Sequence, residues 1–279
     1  MEVVVPAHNE ESTLGGCLDG LASAGSVSRV VVVPNGCVDR TEGVALAHRS
    51  RPTVRRSPTP GKAAALNLGD AECAGFPRAY LDADIVLDGA ALDALAAAAS
   101  AEDTLVAVPV VRLDLTDASW LVRRYYGAQR ALPTVRDDPA GRGVYVLGRR
   151  AHERVFPLPD NLIADDGYVA RAVGSTGCVV VPAAVVVLVP AGTLPALLRR
   201  RLRVQAGNQQ LDALLPAESA AESRVLAGGA GLLALSALVR SGRVRPIDAV
   251  VFTGVTTLTR LLVLVRRWRG REVRWGSTR

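Results

Sequence analysis

Aromatic residues are scarce in this chain of 279 residues, at 4% of the total. Nucleic-acid-binding proteins usually combine a basic groove with aromatic side chains on which bases stack. Here the net charge of +6 is uneven: residues 220–279 hold 11 arginines against 3 acidic residues, whereas residues 1–219 carry a net charge of −2. A nearly neutral body with a basic tail does not suit that role, so we expect no nucleic-acid partner.

Cysteine and histidine patterns that bind metals or form disulfides are also missing. The 4 cysteines are scattered without a Cys-x-x-Cys pair, and the 3 histidines are isolated from one another. This usage is typical of reduced, packed thiols and excludes a zinc site of the usual spacing. Met1 leads almost directly into a strand-like valine run, which leaves no room for a signal peptide. We therefore expect a cytoplasmic protein.

What the first half of the chain does have is a strict alternation of short β-branched runs with alanine- and leucine-rich segments. This alternation predicts βαβ units, and hence an α/β fold with a mostly parallel sheet covered by helices on both faces. Polar residues follow three of the predicted strands, in the segments PAHNEE, PNGCVDRT and DAD. Ligands of such sheets bind beyond the carboxyl ends of the strands, so we expect a binding site there.

Two carboxylates, Asp82 and Asp84, stand two positions apart near the end of the apolar run AYLDADIVL. If this run is a strand, residues i and i+2 point to the same face, and the carboxylates converge unless a positive group lies between them. Mg²⁺ and Mn²⁺ prefer carboxylate oxygens as ligands. The pair therefore suggests a site for a divalent metal, and the alternative is a solvated strand end followed by a turn.

Five motifs, in order, resemble those of the family-2 glycosyltransferases, the inverting class with the GT-A nucleotide-sugar fold. They are VVVPAHNEE (3–11), VVVPNGCVDRT (31–41), GKAAALNLG (61–69), LDADIVL (81–87) and ADDGYVAR (164–171). The resemblance implies a Rossmann-like GT-A catalytic domain, which we place at residues 1–217. Residues 218–279 are then a C-terminal helical extension.

The resemblance implies a donor that is a nucleotide-diphosphate sugar, such as a UDP- or GDP-sugar. Asp84 would reach a Mg²⁺ or Mn²⁺ ion, while Asp82 would lean toward the ribose or a metal-bound water. Many relatives have an aspartate where this chain has Asn35, and the loss of that charge leaves the base of the donor open. The other donor-binding residues that the resemblance implies are Pro6, Ala7, Asn9, Glu10, Asn35, Lys62, Arg200 and Arg203.

Several of these residues have a simpler alternative role. Glu10 would also suit the start of a helix, where the dipole favours an acid. Lys62, the only lysine of the chain, and the arginines of residues 199–203 would also suit solvated surfaces. Asp39 matches a later aspartate of the family, but capping of the next helix explains it better. Val204 replaces a tryptophan of the processive members, which argues against a polymerase.

An inverting transfer needs a base that takes the proton from the acceptor hydroxyl as this hydroxyl attacks the anomeric carbon. The motif ADDGYVAR resembles the acidic pair of the family, which implies that Asp166 is the base and Asp165 its neighbour. The alternative is that both acids cap the following helix, although two adjacent acids exceed what capping needs. The implied reaction is the transfer of one sugar to an acceptor hydroxyl.

Two other functions stay open. A sugar-1-phosphate nucleotidyltransferase would need a glycine-rich basic loop after the first strand, which VVVPAHNEE does not provide. A non-catalytic, membrane-bound adaptor with the same fold is hard to reconcile with the presence of Asp82, Asp84 and Asp166 together.

The tail contains two apolar segments, residues 225–239 and 246–265. The first has 15 residues, fewer than the roughly 20 that span a bilayer, and the second contains Asp248 and Arg260. Arginines and two tryptophans surround both segments, which is typical of an element lying on an anionic membrane. The alternatives are a helical hairpin packed on the catalytic domain or a re-entrant hairpin. A membrane location would make the protein peripheral on the inner face of the cell membrane, with a lipid-linked, cell-envelope acceptor.

Overall fold

The computed structural model describes residues 1–103, 105–136, 138–215 and 229–268. Its strands are β1 (Glu2–Ala7), β2 (Arg29–Pro34), β3 (Thr53–Val54), β4 (Arg78–Leu81), β5 (Val106–Leu113), β6 (Val144–Leu147) and β7 (Cys178–Leu188). They form one sheet of 7 strands in the order β3-β2-β1-β4-β6-β5-β7. Neighbours from β3 to β4 are parallel, and β6 is antiparallel to both β4 and β5.

The helices mostly lie between these strands along the chain. They are α1 (Leu14–Ala22), α2 (Thr41–Ala47), α3 (Lys62–Asp70), α4 (Gly89–Ala101), α5 (Trp120–Gln129), α6 (Pro133–Arg136), α7 (Arg149–Val155), α8 (Asp165–Val173), α9 (Leu194–Leu214), α10 (Gly229–Arg240) and α11 (Pro246–Trp268).

Helices cover both faces of the sheet, as the valine runs indicate. Along β1, Val3 and Val5 point to one face and share a core with residues of α1 and α4. Val4 points to the other face, where α3 approaches so closely that a Cβ atom on Gly69 would lie 2.4 Å from Val4 Cγ1. A strand buried on both faces reads as a continuous apolar run rather than an alternating one. The predicted α/β fold with a mostly parallel sheet is confirmed.

The chain forms two compact units. The first consists of Met1–Arg112 and Pro139–Leu188, and the second draws on Leu113–Asp138 and Val189–Arg279. The predicted boundary at residue 217 therefore lies inside the second unit.

The second unit is built around α5, α9 and α11. Its core includes Val122 and Tyr125 from α5, Leu197 from α9 and Val255 from α11. Asp248, near the start of α11, is accommodated because its Oδ1 atom accepts a hydrogen bond of 3.2 Å from Arg124 Nη1. Within this unit, one side of α11 thus packs as the hairpin alternative requires.

The other side of α11 is exposed and mostly apolar, with Arg260 among its exposed residues. Among the described residues, one helical segment, Pro246–Val265, is long and apolar enough to cross a membrane, a finding about length and composition only. The exposed apolar residues of this helix are Ile247, Val250, Leu258, Leu261, Leu264 and Val265. The predicted segment 225–239 falls partly on α10, and its residues 225–228 lie outside the described part of the chain.

Candidate active site

One lysine and two aspartates from three separate segments meet in the first unit. Lys62 begins α3, Asp82 follows β4 directly, and Asp165 begins α8. Lys62 Nζ lies 2.6 Å from Asp82 Oδ1 and 2.9 Å from Asp165 Oδ1. Burial opposes a charged ammonium, but the two carboxylates outweigh this effect and raise the pKa of Lys62 well above its usual value. The lysine is thus held in its charged form between two acids.

Asp82 and Asp84 lie in a turn and not in a strand. The expectation that the strand continues through DADIVL is wrong, because β4 ends at Leu81. Asp82 N donates a hydrogen bond of 2.8 Å to Gly143 O, and Ile85 N donates one of 3.0 Å to Asp82 O, which closes the turn. The turn leaves the Asp82 side chain partly buried and Asp84 exposed.

The environment of Asp82 disfavours its ionised form. Burial raises the pKa of this carboxyl to about 6, against the opposing effect of Lys62. The negative charges of Asp165 and Asp84 act in the same direction as burial. An incoming cation would remove this penalty, because a positive charge close to a carboxylate stabilises the ionised form.

Asp165 and Asp166 open α8 with different partners. Asp165 is 3% exposed, and its Oδ2 atom accepts a hydrogen bond of 3.3 Å from the Tyr145 hydroxyl. Asp166 Oδ1 accepts from Gly167 N at 2.8 Å, and Asp166 Oδ2 accepts from Gly141 N. Burial and the charge of Asp165 together raise the pKa of Asp166, although both amides oppose the shift.

The capping alternative for this pair is only partly met. The N-cap position of α8 is Ala164, which has no side chain able to cap, and neither acid occupies that position. Asp166 does accept from an amide of the first turn, yet its second oxygen faces a different loop.

The first predicted donor-binding segment is split between a strand and a turn. Pro6 and Ala7 are buried residues of β1 and not of the loop that the sequence suggested. Asn9 Oδ1 accepts from Val38 N at 2.9 Å. Because α1 begins only at Leu14, Glu10 is not an acid of its first turn, so the alternative role at a helix start is not met.

Glu10 lies in the connection before α1 and is largely buried, with 7% of its surface exposed. Its Oε2 atom accepts a hydrogen bond of 2.7 Å from Thr13 Oγ1, and its amide donates one of 2.7 Å to Thr41 Oγ1. Glu10 thus ties the ends of the first two strand–helix units together.

Asn35 joins three elements through its side chain. It is 1% exposed, and its Nδ2 atom donates to Ala7 O at 2.9 Å and to Val33 O at 3.3 Å. Its Oδ1 atom accepts from Gly61 N at 3.2 Å, just before α3. These bonds give Asn35 a structural role that the sequence did not reveal, while its contact with a donor base stays a prediction.

Asp39 stabilises the start of α2, as expected. Its Oδ1 atom accepts from Thr41 N at 3.0 Å, and its Oδ2 atom accepts from Glu11 N at 3.1 Å. The residue at the N-cap itself is Arg40, one position later than predicted.

Comparison with known protein families supports the resemblance that the motifs indicate. The sequence profile of glycosyl transferase family 2 matches residues 2–151. The chain belongs to glycosyl transferase family 2. No curated protein matched this glycosyltransferase.

Solved structures with a similar fold include two glycosyltransferase complexes. The mannosyltransferase PcManGT from Pyrobaculum calidifontis, in complex with GDP-Man and Mn²⁺, has a TM-score of 0.66 and 19% sequence identity, over 97% of this chain and 87% of that chain. Glucosyl-3-phosphoglycerate synthase from Mycobacterium tuberculosis, in complex with Mn²⁺ and UDP-Glc, has a TM-score of 0.57 and 20% identity, over 75% of this chain and 78% of that chain. At these identities the likeness shows the GT-A fold.

Two predicted donor-binding residues of this family-2 glycosyltransferase lie in the second unit. Arg200 and Arg203 are on α9, where Arg200 is partly buried and Arg203 is exposed. Their contact with a donor stays a prediction.

A metal ion at this site would have few ligands from the protein. Within the described ranges, no group of three or more His, Cys, Asp or Glu residues is arranged to hold a metal ion. Asp82 and Asp84, the predicted ligands, offer two carboxylates on one turn. This donor set fits Mg²⁺ or Mn²⁺, which commonly take one or two carboxylates and complete their shell with substrate phosphates and water.

The segment before β6 is the glycine-entered strand start that the sequence indicates, but no contact of this segment with the site was predicted. Gly141 and Gly143 both adopt positive φ angles, of 75° and 70°, and both contact the acidic turns through their backbone. Two glycines flanking one arginine were the available signal, because glycine is the residue that takes these angles without strain.

Proposed function

We propose that this glycosyltransferase moves a single sugar from a UDP- or GDP-sugar to an acceptor hydroxyl, with inversion at the anomeric carbon. The observation that carries the proposal is the convergence of Asp82 and Asp165 on Lys62 beyond the carboxyl end of β4, with Asp166 beside them. GDP-Man and UDP-Glc in the two related complexes support this class of donor.

Asp166 is the proposed base. Its raised pKa brings it closer to neutral pH, where a base accepts a proton more effectively than an ordinary carboxylate does. The Gly141 amide fixes the orientation of Asp166 Oδ2, so that the proton of the acceptor hydroxyl would be taken by an oxygen in a defined position.

Lys62 and the acidic turn are the proposed donor-binding group. The ammonium of Lys62 would attract the diphosphate. Its ion pair with Asp82 would then weaken, and Asp82 would be available to contact the donor. Bound at Asp82 and Asp84, Mg²⁺ or Mn²⁺ would neutralise the charge that develops on the departing nucleoside diphosphate.

The second unit supports a further part of the proposal, attachment to an anionic membrane surface from the cytoplasmic side. The first two exposed apolar residues of α11, Ile247 and Val250, lie close in the chain to Arg240, Arg243 and Arg245, which are also exposed. Apolar burial and attraction to anionic lipids act together in helices that lie on membranes. A glycosyltransferase attached in this way would act on a lipid-linked acceptor of the cell envelope.

The transfer is tested with a panel of UDP- and GDP-sugars, each with Mg²⁺ or Mn²⁺. The measurement is release of nucleoside diphosphate, followed by NMR of the product to read its anomeric configuration. We expect one donor class to be used and the product to have the configuration opposite to that of the donor. Retention of configuration, or release of pyrophosphate from a nucleoside triphosphate and a sugar 1-phosphate, would contradict the proposal.

A further inference from the structure

Arg142 is a buried cation next to the proposed site, and no role was predicted for it. It is 5% exposed and lies in residues 139–143, which we call the glycine loop and which lead into β6. Its Nε atom donates a hydrogen bond of 3.0 Å to Pro139 O, and its Nη1 atom donates to Pro109 O of β5. Burial of a guanidinium is costly unless it is hydrogen-bonded. The bond to Pro139 O lies within the loop, and the bond to Pro109 O secures the loop to the sheet.

The glycine loop also follows a path that few other sequences allow. Gly141 and Gly143 both have left-handed φ angles. A Cβ atom on Gly143 would lie 2.7 Å from Ile85 Cγ1, within the turn that holds Asp82, and 3.6 Å from Asp82 Oδ2. The backbone of the loop therefore approaches the acidic turn as closely as a residue without a side chain permits.

The glycine loop contacts both the proposed base and the turn that carries the proposed donor-binding acids. Gly141 N donates to Asp166 Oδ2, the carboxylate proposed as the base. Gly143 O accepts from Asp82 N at 2.8 Å and so fixes the turn that carries the proposed donor-binding acids. A shift of the loop would move the base and the donor turn relative to each other.

We propose that Arg142 is a positioning residue that, by fastening the glycine loop to β5, sets the orientation of Asp166 and the placement of Asp82. It touches neither donor nor acceptor in this role and acts through the loop backbone. The inference rests on the proposed function, which assigns the base to Asp166 and donor binding to Asp82.

The test uses the full chain with Arg142→Met and Arg142→Lys. Methionine keeps much of the length and removes the donors, whereas lysine keeps the charge but cannot reach two carbonyls with a planar group. Arg150→Met is the matched control, because Arg150 is 70% exposed and only faces Asp103 at 3.7 Å. Thermal melts establish which variants are folded, and Arg142→Lys keeps the test valid if Arg142→Met does not fold.

We expect the folded Arg142 variants to lose roughly 10- to 100-fold in kcat, because misplaced reacting groups slow the chemical step. The donor KM should rise by a smaller factor, through the displacement of Asp82. Hydrogen exchange of the Gly141 amide, measured by NMR without substrate, should be faster in these variants. Arg150→Met should leave both quantities as in the wild type. Wild-type kcat and wild-type exchange in a folded Arg142 variant would overturn the inference, and so would a loss of kcat without faster exchange.

The two proposals fail in different ways. If Asp166→Asn turns over as fast as the wild type, the proposed base is wrong. The Gly141 exchange rate tests the fastening of the loop independently, because no substrate is present in that measurement.

Discussion

Lys62 Nζ and Asp82 Oδ1 lie 2.6 Å apart, and the same ammonium is 2.9 Å from Asp165. The only lysine of the chain thus offsets the repulsion between two carboxylates that belong to different segments. A bound diphosphate would compete for this same ammonium. Donor binding and the electrostatics of the donor-free site therefore depend on one residue.

Replacing Lys62 with methionine should destabilise the protein and weaken donor binding. Removing one partner of an ion pair that is largely buried leaves the other charge uncompensated and costs about 3 kcal/mol or more. Asp165, whose side chain is 4% exposed, bears most of this cost. Urea unfolding gives the free energy of unfolding, and Lys62→Arg, which keeps the charge, is the control.

The deficit of Lys62→Met should also depend on pH. The folded-state pKa values of Asp82 and Asp166 are already raised by burial, and loss of the ammonium, which opposes this rise, should raise them further. A raised carboxyl pKa means that the folded state binds more protons than the unfolded state, so stability falls as pH rises through that window. The deficit should therefore be larger at pH 7 than at pH 4.5. An equal deficit at both pH values would show that the ion pairs are not its cause.

Asp84→Asn should abolish most of the turnover without affecting the fold. The side chain is exposed, so its loss costs little stability, but an amide is a poor ligand for a hard cation. We expect a loss of roughly a hundredfold or more, since a metal contributes several kcal/mol of charge stabilisation. EDTA should have the same effect on the wild type. Asp160→Asn, another exposed acid, is the matched control, and full activity in EDTA would refute the metal proposal.

Asp166→Asn should slow the chemical step by roughly 10²- to 10⁴-fold, the usual contribution of a general base, with donor affinity little changed. Asp165→Asn should slow it less. Because burial and the charge of Asp165 both raise the pKa of Asp166, removal of that charge should move the acidic limb of the kcat–pH profile to lower pH. Single-turnover rates across pH measure both effects. If Asp165→Asn proved the slower enzyme, the base would have been assigned one residue too late.

Much of the fold was predictable because its signals are local. The runs Val3–Val5 and Val31–Val33 are fully buried, and an unbroken β-branched run of this kind is typical of a strand covered on both faces. The family motifs predicted one site for Asp82 and Asp165, and in the structure both carboxylates pair with Lys62. Short sequence motifs and their order along the chain were sufficient to predict the fold and these two site residues.

The remaining features depend on contacts between distant residues. The sequence offered a strand end near Asp82 and Asp84 only as an alternative, and the bond from Asp82 N to Gly143 O, which lies more than 60 residues later, has no local pattern. The bonds of Asn35 to Ala7 and Gly61 likewise leave no local pattern. No local pattern in α5 predicts that it packs with α11 in the second unit.

Binding to anionic membranes can be tested by point substitution on α11. A point substitution is more informative than deletion of residues 223–279, since the deletion would remove Val255 from a core shared with Tyr125. Leu261 is 55% exposed, and Leu261→Glu places a negative charge on the proposed contact face. The control is Leu46→Glu on α2, where the leucine is 65% exposed.

We expect the wild type and Leu46→Glu to co-sediment with anionic but not neutral liposomes, and less strongly as salt rises. Leu261→Glu should lose most of this binding while its thermal melt is unchanged. Equal sedimentation of the two variants would show that the exposed face of α11 is not the contact.

The helix that begins at Lys62, α3, lies very close to the sheet at Gly69. Gly69→Ala tests this approach, and Gly43→Ala on α2 is its control. A Cβ atom at Gly69 would lie 2.4 Å from Val4 Cγ1 and 3.0 Å from Val33 Cγ2, and both valines are fully buried. Gly69→Ala should therefore cost roughly 1–3 kcal/mol, because overpacking shifts helix and strands apart. It should also raise the donor KM, since the shift displaces the ammonium of Lys62.

Gly43 on α2 is the matched control, since it is exposed and a Cβ atom there would meet nothing within 4 Å. Alanine at this position should stabilise the protein by about 0.5–1 kcal/mol through lower backbone entropy in the unfolded chain. Urea unfolding measures both variants. Opposite signs are expected, and a stabilised Gly69→Ala with an unchanged donor KM would mean that α3 does not pack this tightly on β1 and β2.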